Sequence, residues 1–118
     1  MYKLSGQLDL DIFQNLKLEQ VAVSENTITL AFERDIQISI LGVYSIVRAQ
    51  SNRRVAIEVP RVSRLLLSLV GSIVVCAEIE SSRNLVLRFA NDTVLCVIDD
   101  SDCFESYSIR VGKKEIFV

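Results

Sequence analysis

The 118-residue sequence has no histidine and no tryptophan, one proline, four glycines and three cysteines. Without an imidazole, the common zinc ligand sets and any histidine-dependent triad are excluded, so no metal site is expected. Cys76, Cys96 and Cys103 are odd in number and lack CxxC spacing. They read as reduced thiols of a cytoplasmic protein rather than a disulfide framework. No apolar run approaches the roughly 18 residues of a membrane-spanning helix, and the opening MYKLSGQLDLD holds none of signal-peptide length, so no membrane partner is expected. No glycine-rich phosphate loop follows a strand and no motif sets two carboxylates in a catalytic pair. Neither an enzyme nor a cofactor is expected, and no catalytic residue is assigned.

What is present is apolar. Half of the residues are hydrophobic, mean hydropathy is +0.35 and the net charge is only −2, enough for one packed core in a single domain spanning 1–118. The apolar residues alternate. Leu85, Leu87 and Phe89 interleave with Val86 and Arg88, Asn91-Asp92 supplies a tight turn, and Thr93 to Ile98 is apolar on both faces. That is the pattern of a strand, a hairpin and a central strand covered on both sides. Tyr107, Ile109 and Val111 resume the alternation.

Earlier in the chain, Leu18 to Val23, Thr27 to Phe32, Ile36 to Ile40 and Val43 to Val47 read as strands. Ser24-Glu25-Asn26 and Glu33-Arg34-Asp35 mark turns, Gly42 breaks the run, and Ser51-Asn52 marks a further hairpin. Val55, Ile57 and Val59 read as one more strand. Leu10, Ile12, Phe13 and Leu16 fit a short amphipathic helix or an extended segment. A second helix is expected from Pro60 at its first turn to Gly71 at its stop, with Val62, Leu65, Leu66 and Leu69 at helical spacing. The fold class is therefore α+β, mostly antiparallel sheet with two short helices.

The pattern also repeats. Ile28, Leu30, Phe32, Asp35, Ile38 and Ile40 match Leu85, Leu87, Phe89, Asp92, Leu95 and Val97 at an offset of 57. Tyr44-Ser45-Ile46 matches Tyr107-Ser108-Ile109 at 63, and Ile12, Phe13 and Leu16 are set against Leu65, Leu66 and Leu69. Two related αβββββ halves, 9–59 and 61–118, packed about a pseudo-twofold axis, would account for this; generic hairpin patterning is the competing explanation.

Charge is unevenly placed. Arg48, Arg53, Arg54, Arg61 and Arg64 face one acid, Glu58, whereas Asp92 to Glu105 holds five acids and no base. A solvated face explains the arginines, and no aromatic is interleaved among them as a nucleic-acid site would need, so nucleic acid is not an expected partner. Arg61 and Arg64 near a helix start oppose its dipole, which favours a partner-facing role. The run Asp99, Asp100, Asp102 and Glu105 reads either as a solubilising loop or as a dock for a basic protein, with Phe104 and Tyr107 as aromatic anchors. A calcium loop is not expected, because the DxDxDG frame is missing.

Leu69-Val70-Gly71, Leu85 to Phe89, Asp99 to Asp102 and Glu105-Ser106-Tyr107-Ser108-Ile109 together resemble the form shared by a family of small uncharacterised bacterial proteins. Its members look like immunity proteins of bacterial toxin systems, including contact-dependent growth inhibition. The resemblance covers about half the chain. It implies a cytoplasmic protein that binds and neutralises one cognate toxin, such as a basic nuclease, with Asp99, Asp100, Asp102, Phe104, Glu105 and Tyr107 as contacts. Two other readings stand beside it. One is a structural or regulatory homo-oligomer, a dimer joined through the acidic run and the arginines; the other is an enzyme.

Overall fold

The computed structural model describes residues 9–50, 55–99 and 106–117. Its ten strands are β1 (Leu18–Val23), β2 (Ile28–Phe32), β3 (Ile36–Ile40), β4 (Val43–Arg48), β5 (Ile57–Glu58), β6 (Val74–Ile79), β7 (Leu85–Phe89), β8 (Thr93–Ile98), β9 (Tyr107–Val111) and β10 (Lys114–Phe117). They form two five-stranded sheets, ordered β1-β2-β3-β9-β10 and β5-β4-β8-β7-β6, and every pairing is antiparallel.

The alternation in the sequence becomes the two faces of each sheet. Ile28, Leu30 and Phe32 stand opposite Ile40, Ile38 and Ile36, all buried, while Thr29 and Ser39 share the outer face. One cluster of buried side chains draws on the inner faces of both sheets and includes Leu30, Ile38, Ile109, Leu87, Leu95 and Ile46. Phe13 meets Phe32 edge to face, with ring centroids 5.8 Å apart, the arrangement that the ring quadrupoles favour. The strand β8 lies in the middle of its sheet and is buried on both faces, as its doubly apolar sequence implies.

The strands are not assigned to sheets in chain order. After the meander β1-β2-β3 the chain leaves its sheet, and β4 pairs with β8; after β6-β7-β8 it leaves again, and β9 pairs with β3. The registers correspond under the sequence offsets: Ile40 stands opposite Tyr107 and Val97 opposite Tyr44, Ile38 opposite Ile109 and Leu95 opposite Ile46. Loop hydrogen bonds correspond as well. Gly112 N–H donates to the Asp35 carbonyl at 3.0 Å and Ala49 N–H to the Asp92 carbonyl at 2.6 Å, both aspartates having positive φ.

The helices differ from expectation. Leu10–Phe13 is a single 3-10 turn capped by the Asp9 side chain, and the second helix, α1, is one turn, Arg64–Leu67, capped by the Ser63 hydroxyl. Pro60 lies before this cap rather than in the first turn, and the helix ends well before Gly71. Both segments are held by strand backbone. Asn15 N–H donates to the Val74 carbonyl and Gly71 N–H to the Leu18 carbonyl, and Asn15 and Gly71 both have positive φ. The segments therefore correspond at an offset of 56, not the 53 that their apolar residues suggest. The strand expected from Val55 to Val59 is confined to Ile57–Glu58, and the Ser51-Asn52 turn lies outside the described residues.

Candidate functional site

Asp99 directly follows β8, and Ser106 directly precedes β9. These two residues are tied together. The Ser106 hydroxyl donates to Asp99 Oδ1 at 3.1 Å, and Arg83 donates from Nε and Nη2 to Asp99 Oδ2 at 2.9 and 2.5 Å. Asp99 N–H donates to Asn84 Oδ1, and the Asn84 amide donates to Glu80 Oε1. The β6–β7 turn thus supplies a bracket that closes on the junction where the chain crosses from one sheet to the other.

Two sequence expectations are corrected here. The run does have a basic partner: Asp99, its side chain 5% exposed, is paired with Arg83. A carboxylate that far from water is stable only when its charge is met, so it is taken up by the fold and not presented to a partner. Tyr107 is not a surface anchor, since it is fully buried and its hydroxyl donates to the Arg83 carbonyl at 2.9 Å. Burial pushes its phenol well above the usual tyrosine range, the Asp99 charge adds to this, and Arg83 opposes it. Asp100, Asp102, Phe104 and Glu105 lie outside the described residues.

Tyr44, the counterpart of Tyr107, is also fully buried, and its phenol is raised chiefly by burial. It bonds differently. Its hydroxyl donates to the Arg61 carbonyl at 2.7 Å and accepts from Ser63 N–H at 3.1 Å, fixing the approach to α1. The arginines are consequently divided. Arg61 lies by Tyr44 near the start of β4, while Arg48 ends that strand and reaches the Asn91 carbonyl at 3.5 Å. Arg61 and Arg64 are exposed, and Arg53 and Arg54 lie outside the described residues.

A second feature had no sequence signal of the charge kind. At the β7–β8 turn an open cleft of ≈ 210 Å³ is lined by Ala49, Val75, Arg88, Phe89, Ala90, Asp92, Thr93 and Val94. Thr93 is buried and its hydroxyl has no hydrogen-bond partner among the described residues.

The chain matches no protein-family model, no curated protein and no solved structure. Among the described residues no group of three His, Cys, Asp or Glu could hold a metal ion, and no helix is long and apolar enough to cross a membrane. Cys76 is exposed and Cys96 is buried; Cys103 lies outside the described residues.

Sequence reasoning missed Arg83 and Asn84, the bracket of the acidic junction. A lone base in the turn Glu80 to Asn84 was their only local sign. The cleft residues were not legible, because Val75 pairs with Glu19 only at the offset of 56 that the structure revealed.

Proposed function

We propose that this chain is an immunity protein that binds one cognate bacterial toxin in the cytoplasm and neutralises it by stoichiometric occlusion. The sequence resemblance of its second half supports this reading. The observation that carries it is the braced junction at Asp99 and Ser106. A run of acids fixed at both ends to a sheet gives up less conformational freedom on binding than a free tail, so more of its attraction for a basic surface appears as affinity. Its field also steers encounter with a cleft that is positive because it holds phosphates. The contacts proposed are Asp100, Asp102, Phe104 and Glu105, with Asp99 and Tyr107 moved from contact to support.

The two halves are proposed to descend from one αβββββ unit, each lending its last strands to the other's sheet. The test of function is protection. Co-expressed with its toxin, the wild type should restore growth, and a D100K/D102K/E105K variant should fail to protect while its melting temperature stays within a few degrees. Full protection by that variant would remove the acidic run from the mechanism.

A further inference from the structure

Residues 9–58 and 64–117 are laced together by strand exchange. The strand β3 pairs with β9, β4 pairs with β8, and 15–18 bond to 71–74 around the Lys17–Ile73 bridge. Each of these pairings runs from one half of the chain to the other, so a second copy presents the same groups in the same registers. Only the connector between β5 and α1, residues 59–63, requires both halves of a body to come from one chain.

That connector is pinned at one point. The Tyr44 hydroxyl donates to the Arg61 carbonyl at 2.7 Å and accepts from Ser63 N–H at 3.1 Å, so one fully buried side chain holds both sides of Val62. Ser63 in turn caps α1 with its own hydroxyl, which fixes where the second half begins. A chain whose second half sat in a neighbouring molecule would leave through this connector, and its Tyr44 could not keep both bonds. Tyr107 provides an internal control. It is buried to the same degree, yet its hydroxyl donates to the Arg83 carbonyl in the β6–β7 turn, which joins two strands of one half.

We propose that the partner this interface fits is a second copy of the chain: β4–β5 of each copy complete the β6-β7-β8 sheet of the other and β9–β10 the β1-β2-β3 sheet, and the Tyr44 hydroxyl is the latch that holds the chain closed as a monomer. Exchange re-forms every pairing between the halves, so the balance rests on the tether and the latch. A short tether presents one half to the other at an effective concentration on the order of 1 mM. One hydrogen bond lost per chain disfavours exchange by roughly threefold to tenfold for each copy. With the latch the chain is a monomer at that concentration; without it a substantial share exchanges. None of this depends on the toxin reading, and the test uses no toxin.

Full-length wild type, Tyr44→Phe and Tyr107→Phe are unfolded in urea, refolded at ~1 mM, where tether and second copy compete evenly, and compared by size-exclusion chromatography with light scattering. Wild type and Tyr107→Phe should be monomers, and Tyr44→Phe should dimerise with an association constant at least tenfold above the wild type's. Tyr44→Phe refolded from equal parts of ¹³C-labelled and unlabelled chains should then show isotope-filtered cross peaks between Ile38 and Ile109 and between Ile46 and Leu95, which stand opposite each other in the β3–β9 and β4–β8 registers. These residues lie in the core, so two closed monomers docked by their surfaces cannot bring them together across chains. A Tyr44→Phe chain that stays monomeric, or a wild type that is already dimeric, would overturn the latch. So would equal dimerisation by Tyr107→Phe, which loses a buried hydroxyl bond without freeing the connector. A dimer without cross-chain peaks would overturn exchange.

Discussion

The outer faces of the two sheets are built on matching strands and carry opposite chemistry. On the β1-β2-β3-β9-β10 sheet the outer row includes Thr29, Gln37, Ser39 and Arg110, and its hydroxyls bond sideways, Thr29 to Ser39 and Ser108 to Glu115. The corresponding positions on the other sheet are Val86, Val94, Cys96 and Val47, which gather into a second apolar cluster with Ile98. Val86, Cys96 and Val94 are 1, 2 and 9% exposed although they point away from the main core. Inner faces must be apolar for either sheet to pack, so they are alike. Outer faces are free to diverge, and the divergence marks where contacts beyond the main core are made.

The largest effect that sharpens this comparison concerns the inner faces. Ile38→Ala and Leu95→Ala remove corresponding, fully buried side chains from the two sheets. Each should cost about 2 to 5 kcal/mol in urea unfolding. Two separate unfolding transitions in either variant would show that the two sheets do not share one cooperative core.

Next comes the bracket that only one tyrosine has. Arg83→Ala leaves the Asp99 carboxylate without its cation and should destabilise by about 2 kcal/mol, since an unpaired, largely buried charge keeps its desolvation cost. The double variant R83A/D99N should recover part of that loss. No recovery would mean that Arg83 acts through the turn backbone, whose carbonyl receives the Tyr107 hydroxyl.

The smallest effect lies in alkaline solution. Tyr44 and Tyr107 are both held protonated by burial. Unfolded tyrosines ionise near pH 10, so above that pH the unfolded chain binds fewer protons than the folded one and stability falls as pH rises. Unfolding midpoints should be level from pH 7 to 9 and lower at pH 11. Tyr107→Phe and Tyr44→Phe should each flatten that fall, Tyr107→Phe more, because its hydroxyl is the more strongly shifted; an unchanged slope in both would show that other groups govern it.

Much of the fold is readable residue by residue. The alternation of Leu85, Leu87 and Phe89, the turn acids Asp35 and Asp92 and the doubly apolar β8 each express local rules of side-chain direction and backbone conformation. The short helices were overestimated because Val62, Leu65, Leu66 and Leu69 have helical spacing, yet the strands claim the backbone of their flanks, as when Gly71 N–H donates to the Leu18 carbonyl. The candidate site was half legible. The concentration of acids was plain, but the pairing of Asp99 and the hydrogen bond of the Tyr107 hydroxyl depend on a turn 16 and 24 residues earlier.

The sequence by itself determined the strands and their faces, because period-2 burial and turn chemistry act between near neighbours. Only the tertiary structure decided that β4 and β9 cross to opposite sheets, that Arg83 neutralises Asp99 and that the Glu33 carboxylate receives the Lys17 N–H. Those outcomes turn on which distant surfaces meet. Apolar burial is non-directional and does not distinguish one strand partner from another until whole sheets are packed.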